Sequence, residues 1–217
     1  LLKHKEAAAT EESAVRVTGL ISAPCAVGLA VLAEPVTALL GGYTGERLTL
    51  AASLMTVLGV GIVFNALVLL TTAIMQAHGH VNLPVINMFV GGIIKLIAVF
   101  ILTGNPQVGI LGTPIGSLLC YVSITVLNII SIRRVLPEAP AIVKNVAKPL
   151  LAALLMGAAV FAVRYLLGDV RPLIGCAVPI VVGVIVYAFA AVLLRAITKE
   201  DCLLLPKGEK IAKILHL

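Results

Sequence analysis

The feature that most restricts the fold is a long stretch almost without charge. Between Leu48 and Ile132 the only formally charged side chain is Lys95. A single helix over these roughly 85 residues would be about four bilayer cores long, so the chain must fold back on itself. Two clusters of Gly, Pro and Asn, at 78–84 and 103–109, are typical of such turns. The stretch therefore predicts three helices that cross a membrane.

The composition of the whole chain agrees with this prediction. Hydrophobic residues make up 60% and charged residues 12%, against about 45–50% and 25% in an ordinary soluble domain. This excludes a soluble globular protein, a disordered chain and a basic nucleic-acid-binding domain, so no nucleic-acid partner is expected. Backbone in lipid must be helical, and further apolar runs predict one span before the stretch and two after it. We predict an all-α polytopic membrane bundle of six transmembrane helices, at about 16–33, 48–77, 84–103, 110–132, 149–167 and 172–195.

The basic residues predict the orientation of these spans. With the N-terminus in the cytoplasm, the inner segments hold twelve Lys and Arg residues, while the outer loops hold Arg47, Arg164 and Arg171. This bias is the one that the positive-inside rule describes, and it accounts for the net charge of +6. The predicted division is a cytoplasmic segment at 1–15, a transmembrane domain at 16–195 and a cytoplasmic amphipathic tail at 196–217. The chain opens on Leu1 without a signal-peptide pattern, so we expect the C-terminal portion of a longer chain.

Lys95 is the residue of greatest functional interest, because it lies within the third predicted span. A cation at the centre of a membrane helix costs about 2.5–3.5 kcal/mol on insertion scales. No Asp or Glu lies within any predicted span, and the nearest candidate, Glu34, ends the first one. The partner of the ammonium is therefore water, another part of the protein or an anionic ligand. The alternative is a lysine that extends to the membrane surface or meets a backbone carbonyl.

Polar residues form stripes on three consecutive predicted helices, because their spacing places them on one face. Such stripes either line a wet cavity shared by the helices or form hydrogen bonds between them. We predict a substrate-binding cavity lined by Lys95, Asn87 and Gly91 on the third span, Asn65, Thr72 and Gln76 on the second, and Tyr121 and Asn128 on the fourth. A second face of the fourth span carries small residues, which predicts close helix packing at Gly109, Gly112, Gly116 and Cys120.

No residues with the pattern of a catalytic, metal or cofactor site are found. The four cysteines are isolated from one another and behave as small apolar residues. His78 and His80 lie in a predicted turn without a nearby Cys or carboxylate, so a solvated turn is favoured over a metal site. We therefore predict a protein that is not an enzyme and holds neither a metal nor a cofactor.

Three segments carry a family resemblance: Ala-Ile-Met-Gln-Ala-His-Gly-His-Val-Asn-Leu-Pro-Val at 73–85, Gly-Gly-Ile-Ile-Lys-Leu-Ile at 91–97 and Asn-Pro-Gln-Val-Gly-Ile-Leu-Gly-Thr-Pro-Ile-Gly-Ser at 105–117. With 35–42 and 197–210, they resemble the C-terminal part of bacterial polysaccharide biosynthesis flippases. The similarity is to the stage V sporulation protein B-like branch of the multidrug/oligosaccharidyl-lipid/polysaccharide exporter superfamily, which is related to lipid II flippases.

The resemblance implies a fold of fourteen spans, of which these six are the ninth to the fourteenth. It also implies that the last two helices form a groove for a polyprenyl tail, and that Lys95 holds the pyrophosphate. The implied activity is the flipping of an undecaprenyl-pyrophosphate-linked sugar or peptidoglycan precursor across the bacterial cytoplasmic membrane by alternating access. The implied partners are the anionic lipid-linked glycan, the bilayer and an N-terminal lobe of the same protein.

Three other functions remain as alternatives, and one of them is a purely structural membrane subunit. A cation-coupled multidrug exporter of the same superfamily would need an intramembrane carboxylate, and the predicted spans contain none. An integral-membrane transferase or phosphatase acting on lipid-linked sugars would need clustered acidic or histidine side chains, whereas the outer acidic residues are scattered, at Glu34, Glu46 and Asp169.

Overall fold

The computed structural model describes residues 2–136, 140–168 and 172–194, and within these ranges every regular element is helical. Six of the helices are long and apolar enough to cross a membrane. The predicted all-α membrane bundle with six spans is therefore confirmed. In chain order the elements are α1 (Leu2–Val31), α2 (Ala33–Gly41), α3 (Gly45–Ala77), α4 (Asn82–Thr103), a 3₁₀ turn (Gly109–Leu111), α5 (Gly112–Val135), α6 (Ile142–Leu167) and α7 (Pro172–Leu193).

The helices end where the sequence places turn residues. At the end of α3 the backbone N–H of His80 donates to the Met75 carbonyl at 2.9 Å, and Gly79 between them has φ +82°. This left-handed conformation, with a bond that reaches back five residues, is a common helix ending that favours glycine. It turns the chain sharply enough for α4 to begin at Asn82.

Three stretches predicted outside the spans are helical. Most of the segment predicted at 1–15 forms the first half of α1, and α6 begins at Ile142, well before Pro149. The outer segment at 35–42 folds as most of α2, with Pro35 in its first turn, where a missing N–H is tolerated. The predicted spans do not include these turns because the prediction followed apolar runs, and the turns are polar or contain proline. The predicted amphipathic tail at 196–217 lies outside the described residues, which end at residue 194.

The long helices pack in the order α4, α5, α3, α1, α6 and α7. Helix α1 lies between α3 and α6, and α5 lies between α3 and α4. The core where α1, α3, α5 and α6 meet is built from Val15, Ala26, Val63, Leu67, Ile74, Met75, Ile132, Leu136, Ile142 and Val146. This arrangement leaves two regions of functional interest: the three-helix group of α3, α4 and α5, and the group of α1, α6 and α7.

Candidate functional site

Small residues bring α4 and α5 into near backbone contact. A Cβ atom at Gly116 would lie 2.5 Å from Val99 Cγ2 and 3.5 Å from the Lys95 carbonyl oxygen. At Gly112 it would lie 2.8 Å from the Thr103 nitrogen. Two members of the predicted small-residue face thus lie directly against α4, and Cys120 is buried one turn further on. Gly109 instead lies in the preceding 3₁₀ turn, with φ +51° and open space where a Cβ would stand.

On α4 the small residue that faces α5 is Gly91, whose missing side chain leaves room for Ile124. A Cβ atom there would also lie 3.4 Å from the Cys120 carbonyl oxygen. Pro84 and Asn87 are the other buried residues of α4. The stripe of Asn87, Gly91 and Lys95 predicted from spacing therefore lies on the side of α4 that contacts α5.

A buried hydrogen-bond network joins α3, α4 and α5 one turn from Gly91. The Asn87 side-chain amide donates to Asn128 Oδ1 at 2.9 Å and to Ser131 Oγ at 3.1 Å. The Asn128 amide donates in turn to Thr71 Oγ1 at 2.9 Å and to Thr72 Oγ1 at 3.3 Å. We name these five residues the amide network. Asn128 is fully buried, and its side chain contacts both neighbouring helices.

The amide network stabilises the three-helix group because hydrogen bonds between membrane helices contribute about 0.6–2 kcal/mol each. Thr71 closes it on α3 by donating to the Leu67 carbonyl at 2.7 Å. One further bond runs from Thr125 Oγ1 on α5 to the Phe64 carbonyl at 3.2 Å. In this structure Asn87, Thr72 and Asn128 are thus helix–helix bonding partners, and their role in lining a substrate cavity stays a prediction.

Lys95 continues the same stripe toward the opposite end of α4. It is half-buried and lies eight residues before Thr103, about 12 Å along the axis at 1.5 Å per residue. Its ammonium makes no hydrogen bond or ion pair with any residue of the described ranges. The structure thus has a cation inside the apolar part of α4 whose charge no described side chain compensates.

The remaining predicted cavity residues lie at the edges of the three-helix group. Asn65 and Gln76 on α3 are exposed, on either side of the half-buried Thr72. Tyr121 on α5 is half-buried and packs against a small cluster of Val68, Cys120 and Ile124. The structure therefore brings Asn87, Thr72 and Asn128 together and leaves Asn65 and Gln76 outside the amide network.

A second candidate site is a cavity of about 390 Å³ between α1, α6 and α7, which we name the apolar cavity. Hydrophobic cavities of this size are typical of sites that take an apolar chain or ligand. The α1 side contributes Pro24, Cys25 and Gly28, and the α7 side contributes Pro179, Ile180, Gly183, Val184, Tyr187 and Ala188. Leu32 and the α6 residues Met156 and Val160 complete the wall.

An ion pair lies beside the Leu32 and Val160 end of the apolar cavity. The Arg164 guanidinium, one turn beyond Val160 on α6, donates to the Glu34 carboxylate on α2. It also approaches the Val31 carbonyl at 3.5 Å. In the sequence, Arg164 and Glu34 are recognisable only as charges near the outer ends of their spans, and nothing local indicates that they pair.

The two turn histidines form no metal site with other described residues, because no group of three His, Cys, Asp or Glu side chains occurs in that part of the chain. His78 instead lies 2.6 Å from Glu11 Oε1, which links the end of α3 to α1. This contact is a surface interaction between the same two helices that the central core joins.

Six helices that are long and apolar enough to cross a membrane define a multi-pass membrane protein. One of them, α4, carries a cation with no partner among the described residues. Residues 3–170, which include nearly all of α1 to α6, match a family model described as Lipid II flippase MurJ. The chain belongs to this lipid II flippase family. Neither the curated proteins nor the solved structures gave a match.

Membership in this family confirms the predicted class. The chain is a membrane transporter of the flippase type and not an enzyme, and its family implies a lipid-linked substrate. The family match agrees with the resemblance carried by the turns before and after α4.

Proposed function

We propose that this chain moves an undecaprenyl-pyrophosphate-linked sugar or peptidoglycan precursor from the inner to the outer leaflet by alternating access. The family supports flipping of a lipid-linked precursor. The single observation that carries the proposed head-group site is Lys95, a half-buried ammonium without a partner among the described residues. A pyrophosphate that visits this position supplies the missing opposite charge.

The Lys95 site favours an anionic substrate over a cationic one. A cation-coupled exporter needs an intramembrane carboxylate. From Leu48 to Ile132, the segment that contains α4 and most of α3 and α5, the sequence holds no Asp or Glu. The charge inside these helices is positive, so the site complements a phosphate.

The apolar cavity is the proposed site of the polyprenyl tail. Its wall is built by α6 and α7 against α1. The family resemblance implies that α6 and α7, the last two spans, form a groove for the tail. The described lining residues bring almost entirely hydrocarbon surface to the cavity, which suits an isoprenoid chain and not a sugar.

The proposed setting is the bacterial cytoplasmic membrane, with both ends of this segment in the cytoplasm. The positive-inside bias of the basic residues supports this orientation. We further propose that helices of an N-terminal lobe face Asn65, Gln76 and Lys95 and complete the cavity. Rocking of the two lobes would expose Lys95 first to one side of the membrane and then to the other.

The test is complementation of a flippase-depleted strain by the complete gene product. Lys95→Gln should abolish growth, while Lys95→Arg, which keeps the charge, should support it. Lys144→Gln on the exposed start of α6 is the matched control for loss of one cation. Equal membrane levels of all variants show that insertion is intact. Full growth of the Lys95→Gln strain contradicts the proposed head-group site.

A further inference from the structure

A proline in α1 leaves a backbone carbonyl that the helix does not use. Pro24 lies within α1 and has no N–H, so the Leu20 carbonyl four residues earlier lacks its usual helical donor. In a membrane span such a carbonyl has no water to bond, and it must find a donor within the protein. Leu20 O therefore marks the place where another side chain is needed.

The side chain that meets this carbonyl comes from α7. The Tyr187 hydroxyl donates to Leu20 O at 2.7 Å, across a sequence separation of 167 residues. Tyr187 is the only residue of α7 with a hydroxyl group, since the helix is otherwise built from apolar residues, Gly, Pro and Cys. Its ring also packs beside the cluster of Leu32, Met156 and Val160.

The same relationship recurs at the next proline. Pro35 has no N–H to donate to the Val31 carbonyl four residues earlier, and Arg164 Nη1 of α6 lies 3.5 Å from that oxygen. Tyr187 of α7 thus bonds the Leu20 carbonyl, and Arg164 of α6 approaches the Val31 carbonyl. In both cases a proline is four residues further on.

Tyr187 and Pro24 also line the apolar cavity, together with Cys25 beside Pro24. The bond from Tyr187 to Leu20 therefore joins two walls of the same cavity. Among the described residues no other side-chain hydrogen bond joins α7 to another helix, so the loss of this bond would weaken the attachment of α7 to α1.

We infer that Tyr187 is a positioning residue, whose hydroxyl holds α7 against the proline break in α1 and thereby sets the width of the apolar cavity. The pairing depends on Pro24, since any other residue would supply the N–H that Leu20 O lacks. The consequence for transport rests on the proposed function, because it assumes that the cavity takes the lipid tail.

Cys25 provides a reporter for this inference. The reporter protein is the complete protein with Cys120, Cys176 and Cys202 replaced by Ala and any other thiols replaced as well, so that Cys25 is its only thiol. Cys25 lines the cavity and is exposed there, so its rate of labelling by an apolar maleimide reports the width of the cavity. Tyr187→Phe keeps the ring and should raise the labelling rate about threefold or more, since one interhelical hydrogen bond shifts an equilibrium by roughly that factor. Tyr165→Phe, on an exposed position of α6, is the matched control and should leave the rate unchanged.

The decisive comparison repeats Tyr187→Phe in a Pro24→Ala chain, where Leu20 O regains a helical donor. We expect Tyr187→Phe to change the labelling rate of Cys25 little in that chain. If the Pro24→Ala protein does not accumulate, Pro24→Leu replaces it. An equal increase with and without Pro24, or no increase with Pro24 present, overturns the inference.

Complementation separates this inference from the proposed function. If Tyr187→Phe raises the labelling rate only in the chain that keeps Pro24, and also slows growth, the positioning role of Tyr187 and the proposed function both stand. If labelling follows that pattern but growth is normal, Tyr187 positions α7 and the proposed use of the cavity in transport is contradicted.

Discussion

The side-chain amide of Asn87 on α4 donates to Asn128 Oδ1 on α5 at 2.9 Å, and the Asn128 amide then bonds two threonines of α3. One fully buried asparagine therefore holds three membrane helices in register. Because α4 also carries Lys95, this bond sets the position of the cation relative to the other two helices.

Replacing Asn128 should destabilise the three-helix group more than any other single polar change in it. Asn128→Leu removes its bonds to Asn87, Thr71 and Thr72 and leaves the Asn87 amide with Ser131 alone. We expect a loss of about 1–3 kcal/mol in the free energy of unfolding. The measurement is denaturant unfolding of the complete protein in detergent. Asn65→Leu on the exposed side of α3 is the control, and an equal effect of the two changes would contradict the account.

Gly116 should tolerate no larger side chain, because its missing Cβ lies against Val99 and the Lys95 carbonyl. Gly116→Val forces α4 and α5 apart, and overpacking of this kind costs about 1–3 kcal/mol. The thermal midpoint of the detergent-solubilised protein measures the effect. Gly92→Val is the comparison, since a Cβ there meets no atom within 4 Å. A Gly116→Val protein as stable as Gly92→Val would mean that α4 and α5 are not packed as described.

Glu34 and Arg164 form an ion pair, but the loss of Arg164 should lower the free energy of unfolding more than the loss of Glu34. Glu34 is 54% exposed at its side chain, so Glu34→Gln should cost less than about 1 kcal/mol. Arg164 also approaches the Val31 carbonyl, and Arg164→Leu should cost more than the loss of the ion pair alone. A double-mutant cycle in detergent measures both contributions. An Arg164→Leu effect no larger than that of Glu34→Gln contradicts a role for the Val31 contact.

The sequence predicted the helices well where apolar runs are long and turns are marked by glycine and proline. α4 was predicted at 84–103 and runs from Asn82 to Thr103. The predicted spans left out the first half of α1 and the short helix α2, because hydropathy reports contact with lipid and does not report helical propensity. The first half of α1 is polar, and Glu34 and Pro35 interrupt the apolar residues of α2.

Contacts between distant residues were harder to predict than the helices. Helical spacing placed Asn87, Gly91 and Lys95 on one face, and the structure shows them on the side of α4 that contacts α5. Spacing alone does not say which neighbour a polar face meets. In this structure Asn128 is fully buried between helices, and its role in lining a cavity stays a prediction. The Tyr187 bond had one usable sequence signal, the carbonyl that Pro24 leaves free, but nothing local indicates that α7 supplies the donor.

The most direct test of the central claim is the binding of undecaprenyl pyrophosphate to the complete purified protein. Lys95 is a cation within an apolar span and has no partner among the described residues, so Lys95→Gln should weaken binding about tenfold or more. The Lys95→Arg protein should bind nearly as tightly as the unchanged protein. Binding that is equally tight in the Lys95→Gln protein would show that the pyrophosphate lies elsewhere and would contradict the account.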